Sequence, residues 1–168
     1  IAGNSYQIVP PDVSLRELNS DICGQNLSSC QFCTAVYCVL DTRTLQLTCA
    51  RGGHPEPILL HADGAAERIE SPGPLLGVFP DETYELTHAQ LSAGDRLILY
   101  SDGIEEALGQ RTDNTADSIL ASLHDWADLP QEQLILHISQ TVEDAQATGH
   151  VDDVTVLVAD VAPEADNA

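Results

Sequence analysis

The chain has little positive charge. Six Lys plus Arg stand against 27 Asp plus Glu in 168 residues, a formal net charge of −21. Phosphate backbones are gripped mainly by Lys and Arg, so neither nucleic acid nor an anionic membrane surface is an expected partner. No run of about eighteen apolar residues occurs, so no membrane-spanning helix is expected. No leader pattern of a signal peptide is visible either, and a cytoplasmic location is expected. Methionine is absent, and the sequence opens on Ile1, so the true start of the gene product is expected to lie elsewhere.

Cysteine is present but does not add up to a framework. Cys23, Cys30, Cys33, Cys38 and Cys49 all fall in the first third, and an odd count argues against a closed set of disulfides. Cys30-Gln31-Phe32-Cys33 is a C-x-x-C. No second such pair and no nearby His pair completes a four-ligand zinc site. The thiols are expected to be reduced, acting as small apolar side chains.

Length and hydrophobic content, 43%, are those of one globular domain with a real core. Pro10-Pro11 marks a loop, and Ser14-Leu-Arg-Glu17 has capping-box form. With Leu15, Leu18 and Ile22 at helical spacing, this predicts a helix over about 12–23. Phe32–Leu40 is rich in strand formers, Asp41-Thr-Arg-Thr44 turns the chain, and Leu45, Leu47 and Cys49 alternate as the returning arm of a hairpin. Asp63-Gly64, between Ile58-Leu59-Leu60 and Ala66–Ile69, is a strong short hairpin signal. A strand is expected near Thr83–Leu86, then a tight turn at Ala93-Gly94-Asp95. Ile119, Leu123 and Trp126 are spaced as one helix face, and Ile135, Ile138, Val142 and Ala145 as another. Gly149 is expected to end that second helix. Val154–Val161 is expected to return as a buried strand, and Pro163–Ala168 to fray. Hairpins, then helices, then a strand define an α+β chain with mostly antiparallel pairing.

The chemistry concentrates in Leu97-Ile98-Leu99-Tyr100-Ser101-Asp102-Gly103-Ile104-Glu105-Glu106. An apolar strand ends there in a carboxylate, and Gly103 permits a sharp turn and a close approach. About fifty residues later Asp152-Asp153 precedes Val154-Thr155-Val156-Leu157-Val158. Magnesium and manganese take oxygen ligands and need carboxylates to offset their charge, so two acidic clusters at strand ends are the raw material of a hard-metal site. Asp102 taken alone reads by default as a turn aspartate, and Asp152-Asp153 could otherwise be a solvated turn. Adjacent carboxylates repel unless an ion compensates them, which favours a functional reading.

Five segments occur in a telling order: Phe32–Asp41, Arg51-Gly-Gly-His54-Pro, Gly73-Pro-Leu-Leu-Gly77, Ala93–Ala107 and Val151-Asp-Asp-Val-Thr155-Val-Leu-Val. From about residue 12 to 161 they resemble the SpoIIE/RsbU-type branch of the metal-dependent (type 2C) serine/threonine protein phosphatases. The resemblance implies an α-β-β-α four-layer sandwich with two mostly antiparallel sheets, its first sheet and helix region incomplete here. Residues 1–161 would be the phosphatase domain and 162–168 a tail. It implies two Mn²⁺ or Mg²⁺ ions, with Asp102, Asp152 and Asp153 as metal-site residues, the first two also catalytic and Asp153 at a neighbouring position that helps organise the site. The implied substrate is a phosphoserine or phosphothreonine protein, such as an anti-anti-sigma-type partner, and the implied context is an upstream sensor or receiver domain in a bacterial regulatory protein.

The family's Gly-Asp-x-x-Gly-His-Gly stretch, which supplies the aspartate bridging both metals, is not among these residues. Ile1–Gln7 resembles the family's segment just C-terminal to that stretch. Either the motif lies upstream of Ile1, or it is lost and the chain is a pseudo-phosphatase acting as a protein-binding adaptor. His54 invites a general-acid role, but a structural turn at Gly53-His54-Pro55 is the favoured reading. Glu105 and Glu106 suit the N-terminus of the helix after the site. His124 and His137 read as ordinary helix positions, and Trp126 as core.

Overall fold

The computed structural model describes residues 8–25, 32–109 and 115–162. Cys30 and the tail beyond residue 162 lie outside the described residues. In chain order the elements are α1 (Pro11–Gly24), β1 (Ala35–Asp41), β2 (Gln46–Gly52), β3 (Ile58–Leu60), β4 (Ala66–Arg68), β5 (Thr87–Gln90), β6 (Arg96–Tyr100), α2 (Gly103–Gly109), α3 (Thr115–Asp125), α4 (Gln131–Thr148) and β7 (Val156–Asp160). They form two sheets, ordered β1-β2-β5 and β4-β3-β6-β7. The mixed α+β class and the antiparallel pairing are as the sequence predicts. The chain divides into two compact units, residues 1–54 with 71–89, and residues 55–70 with 90–168.

In the first unit, α1 begins one residue before its expected start. Pro11 sits at the first helical position, where its fixed φ suits the helix and its missing N–H removes no bond. The capping-box expectation is corrected: the N-cap is Pro10, which makes no side-chain cap, and Ser14 lies inside the first turn with its N–H donating to the Pro10 carbonyl at 3.0 Å. The buried face is Leu15 and Asn19, whereas Leu18 is exposed. Asn19 can be buried because both ends of its amide are satisfied. Its Oδ1 accepts from the Gly77 N–H at 2.8 Å and its Nδ2 donates to the Phe79 carbonyl at 2.9 Å.

The β1–β2 hairpin runs from Ala35↔Gly52 to Asp41↔Gln46. Asp41 closes it by accepting the N–H groups of Arg43 and Thr44 at 2.9 and 3.1 Å. Leu47 and Cys49 turn inward as the alternation predicts. Cys23, Cys33, Cys38 and Cys49 are free thiols. Cys38, register partner of Cys49, is pushed up well above the ordinary thiol range by its hydrogen bond to Cys49 and by burial, which keeps it protonated. The strand expected at Thr83–Leu86 is corrected: β5 begins at Thr87. Tyr84 is instead a core residue, packed with Leu15, Ala50 and Leu76.

In the second unit, the predicted Asp63-Gly64 hairpin joins β3 to β4. Gly64 takes φ +87°, and Asp63 accepts the Ala65 N–H at 3.0 Å. β3 pairs with β6, and β6 with β7, both antiparallel. Ile58 and Leu60, Ile98 and Tyr100, Ile104 and Leu108, Ile119 and Leu123, and Leu134 and Ile138 form one core cluster. Asp95 is buried behind its tight turn, where its two carboxylate oxygens accept the N–H groups of Ala62 and Ser92 at 3.1 and 2.8 Å. Trp126 packs against the core from the turn after α3 and stacks on His137. The predicted α4 face is corrected: Leu134, Ile138, Thr141 and Ala145 are buried, whereas Ile135 is exposed. Thr141 fits because its hydroxyl donates to the His137 carbonyl at 2.9 Å, so an apolar-only count misplaces the stripe. β7 is corrected too. It starts at Val156, is an edge strand among the described residues and leaves Leu157 exposed, rather than being a buried strand. Among the described residues no helix is long and apolar enough to cross a membrane.

Two of these contacts yield measurable outcomes. Ile98, fully buried in the core cluster, should lose about 2–5 kcal/mol of stability on truncation to Ala, read from the urea midpoint. The two backbone N–H donors hold the Asp41 carboxyl below the usual carboxylate range. A depressed folded-state pKa stabilises above the unfolded value, about 3.9, and that contribution is lost as pH falls through the lower folded one. Carboxyl NMR titration should therefore place the Asp41 midpoint below the reference, and D41N should flatten the acid limb of stability.

Candidate metal centre

β6 ends at Tyr100, opposite Val156, the first residue of β7. The segment after one strand and the segment before the other are therefore delivered to the same end of the sheet. Ser101 joins them. Its N–H donates to the Thr155 carbonyl at 2.9 Å, its hydroxyl donates to the Asp153 carbonyl at 3.0 Å, and the same hydroxyl accepts the Thr155 N–H at 2.8 Å.

Gly103 makes the approach possible. A Cβ at this position would lie 2.8 Å from the Asp152 carbonyl oxygen and 3.0 Å from that of Asp153. Those are backbone atoms that cannot swing aside, so the glycine is required by close packing of two chain segments. α2 starts at Gly103 and adds a third tie. The Glu106 N–H donates to the Asp102 carbonyl at 3.2 Å, and the Glu106 carboxylate accepts the Asp152 N–H at 3.1 Å. Asp152 also accepts the Asp153 N–H on Oδ1 at 2.8 Å.

Behind this turn lies a second polar network. Tyr100 donates to Glu105 Oε1 at 2.8 Å, while Arg68 donates to the Tyr100 hydroxyl and, at 3.2 Å, to the same Glu105 oxygen. Burial, followed by the Glu105 carboxylate, pushes the Tyr100 phenol well above its ordinary value, so it stays a donor. This network fixes the end of β6 to the first turn of α2.

The three aspartates singled out in the sequence are thus in segments that touch. Asp102, Asp152 and Asp153 are all exposed. Their donor chemistry fits a hard divalent cation: carboxylates at a close-packed glycine turn, with no thiol or imidazole among them. Among the described residues, however, no three His, Cys, Asp or Glu side chains stand together as a metal-ligand group. The carboxylates do not by themselves make a closed cage. An apolar cleft on the same unit, lined by residues including Ile138, Val142, Val154 and Val156, includes none of the three aspartates.

His54 belongs to the other unit, in a turn held by the backbone. Gly53 takes φ +70° and donates to the Gly73 carbonyl at 3.1 Å, and the His54 carbonyl accepts from Arg51 at 2.8 Å. His124 bonds the Gly64 carbonyl at 2.7 Å. From sequence alone Glu106 reads as a generic helix-start acid, and Arg68 draws no attention. The usable signal for Glu106 is its place four residues after Asp102, one helical turn on.

The fold is that of the PP2C-type phosphatase domains. The phosphatase domain of SpoIIE from Bacillus subtilis, presoaked with Mn, matches with TM-score 0.65 and 20% identity over 91% of this chain and 66% of that one. The catalytic domain of the serine/threonine protein phosphatase PstP, in complex with two manganese ions, matches with TM-score 0.67 and 22% identity over 95% of this chain and 75% of that one. The chain belongs to the family described as Stage II sporulation protein E (SpoIIE), which matches residues 3–162. The phosphoserine phosphatase RsbU of Bacillus subtilis (strain 168) is 32% identical over 108 residues, covering 63% of this chain and 31% of RsbU. The chain spans 23% to 31% of the length of the curated relatives it matches.

Gly103→Ala tests the close approach directly. Alanine gains up to about 1 kcal/mol of helix propensity, whereas forcing a methyl into a packed site costs about 1–3 kcal/mol. Because the obstructing atoms are backbone, the cost should win, and chemical denaturation should show a net loss of stability.

Proposed function

We propose that this chain is the phosphatase module of a bacterial regulatory protein, hydrolysing phosphoserine or phosphothreonine on a protein substrate with Mn²⁺ or Mg²⁺. The observation that carries the reading is the joining of the Asp102 turn to the Asp152-Asp153 segment at one end of the β6–β7 pair. Residues 1–161 would form the module, and 162–168 a tail. Asp102 and Asp152 would hold the cation, and Asp153 would organise the segment beside them. When bound, two such ions supply a water of lowered pKa and neutralise the phosphoryl oxygens.

The chain's own residues do the rest. Gly103 lets the two acidic segments close to contact. Ser101 sets their spacing, and the Arg68–Tyr100–Glu105 network keeps the strand end from moving. No side chain is required as a covalent nucleophile. A chain of charge −21 repels a phosphoprotein at long range, so substrate binding would depend on the ions reversing the local field. By the same reading the substrate is an anti-anti-sigma-type protein, and a sensor or receiver domain supplies the input signal. The site would work in the cytoplasm.

One observation favours a second reading. No group of three metal-ligating side chains occurs among the described residues. A pseudo-phosphatase adaptor would look the same. The residues encoded immediately before Ile1 distinguish the two, because an Asp-x-x-Gly-His-Gly there restores the enzyme reading.

In the intact gene product, D102A should abolish Mn²⁺-dependent turnover of a phosphoserine peptide with the circular dichroism spectrum unchanged. The loss should exceed the 10–100-fold that partners outside the ligand shell typically carry, so more than about 100-fold. Turnover near wild type would sink the assignment.

A further inference from the structure

We infer that Glu106 is a positioning residue, clamping the Asp152 segment to the Asp102 turn; the inference rests on the metal-dependent reading of this site. Among the described bonds, Glu106 is bonded to both proposed ligand residues. Its N–H donates to the Asp102 carbonyl at 3.2 Å, and its carboxylate accepts the Asp152 N–H at 3.1 Å. The first bond is a helical one that follows from the four-residue spacing. The second bridges 46 positions of sequence and is not a by-product of secondary structure.

The geometry explains why an acceptor oxygen serves there. Asp152 is exposed and precedes β7, outside the ladder, so its main chain has no strand bond to fix it. Ser101 holds the neighbouring Asp153 and Thr155, but not Asp152 itself. The Asp152 Oδ1 is occupied by the Asp153 N–H, which fixes the side chain relative to that same backbone. Glu106 therefore sets where the Asp152 carboxylate stands relative to Asp102. Glu105, its neighbour, faces the Arg68–Tyr100 network instead, so the two adjacent acids have separate tasks.

The test uses the intact gene product carrying E106A or E106Q. Glutamine keeps an acceptor oxygen of the same reach, so it should preserve the clamp that alanine removes. In metal-free protein, hydrogen exchange at the Asp152 amide, followed by NMR, should be faster than wild type in E106A and near wild type in E106Q. Binding of Mn²⁺ alone, followed by the electron paramagnetic resonance signal of the free ion, should weaken about 10–100-fold in E106A, with E106Q close to wild type. Unchanged exchange in E106A overturns the clamp. Faster exchange with unchanged Mn²⁺ affinity overturns its positioning role. E106Q behaving as E106A in both readouts shows that charge, not reach, matters, and overturns the geometry. A wild-type protein that takes up no Mn²⁺ fails the metal reading itself. That failure is distinguishable, because the exchange measurement needs no metal.

Discussion

The pairing of β6 with β7 is the constraint on which the rest depends. Its register sets Tyr100 against Val156, and the candidate metal-site aspartates come just after the first strand or just before the second. A slip of one residue would invert which face of each strand meets the core. It would also move Ser101 away from Thr155 and Asp153. The register is secured from the apolar side, because Ile98 and Tyr100 are both buried in the core cluster that α2, α3 and α4 cover. Hydrophobic packing thus determines where the carboxylates lie, although none of them belongs to the core.

Short polar links then convert that coarse placement into a defined turn. Ser101 uses one hydroxyl as both donor and acceptor, Gly103 contributes only the absence of a side chain, and Glu106 reaches across with its carboxylate. Each link is modest, of the order of 1 kcal/mol for a neutral hydrogen bond and more for a charged one. Together they act on one small segment, so their effect is on position more than on global stability. The Arg68–Tyr100–Glu105 network braces the same turn from behind, where burial makes an unpaired polar group costly.

Much of this is legible in the sequence, for identifiable reasons. The hairpin at Asp63-Gly64 and the alternation at Leu47 and Cys49 are local signals, and local signals survive translation into structure. The apolar run into Ser101-Asp102-Gly103 marks the end of β6 and the start of α2 for the same reason. What is not legible depends on partners distant in sequence. Asn19 and Thr141 replace apolar residues on buried faces because their side chains are fully bonded. The strand expected at Thr83–Leu86 fails because Tyr84 packs with Leu15 and Leu76, outside the ladder. Asp95 looks like a turn residue, and only the fold shows its carboxylate gathering backbone donors from two loops. The role of Glu106 is hidden in the same way, since half of its bonding lies 46 positions away.

The path of the chain between its two units has a further consequence. The backbone passes from one unit to the other after residues 54, 70 and 89, so each unit is assembled from separated stretches. Neither can be excised by cutting at a single point. Recombination between relatives could not exchange one unit alone without three matched breakpoints. Such interleaving favours inheritance of the pair as a block, and it leans on contacts distant in sequence, the kind that slow folding.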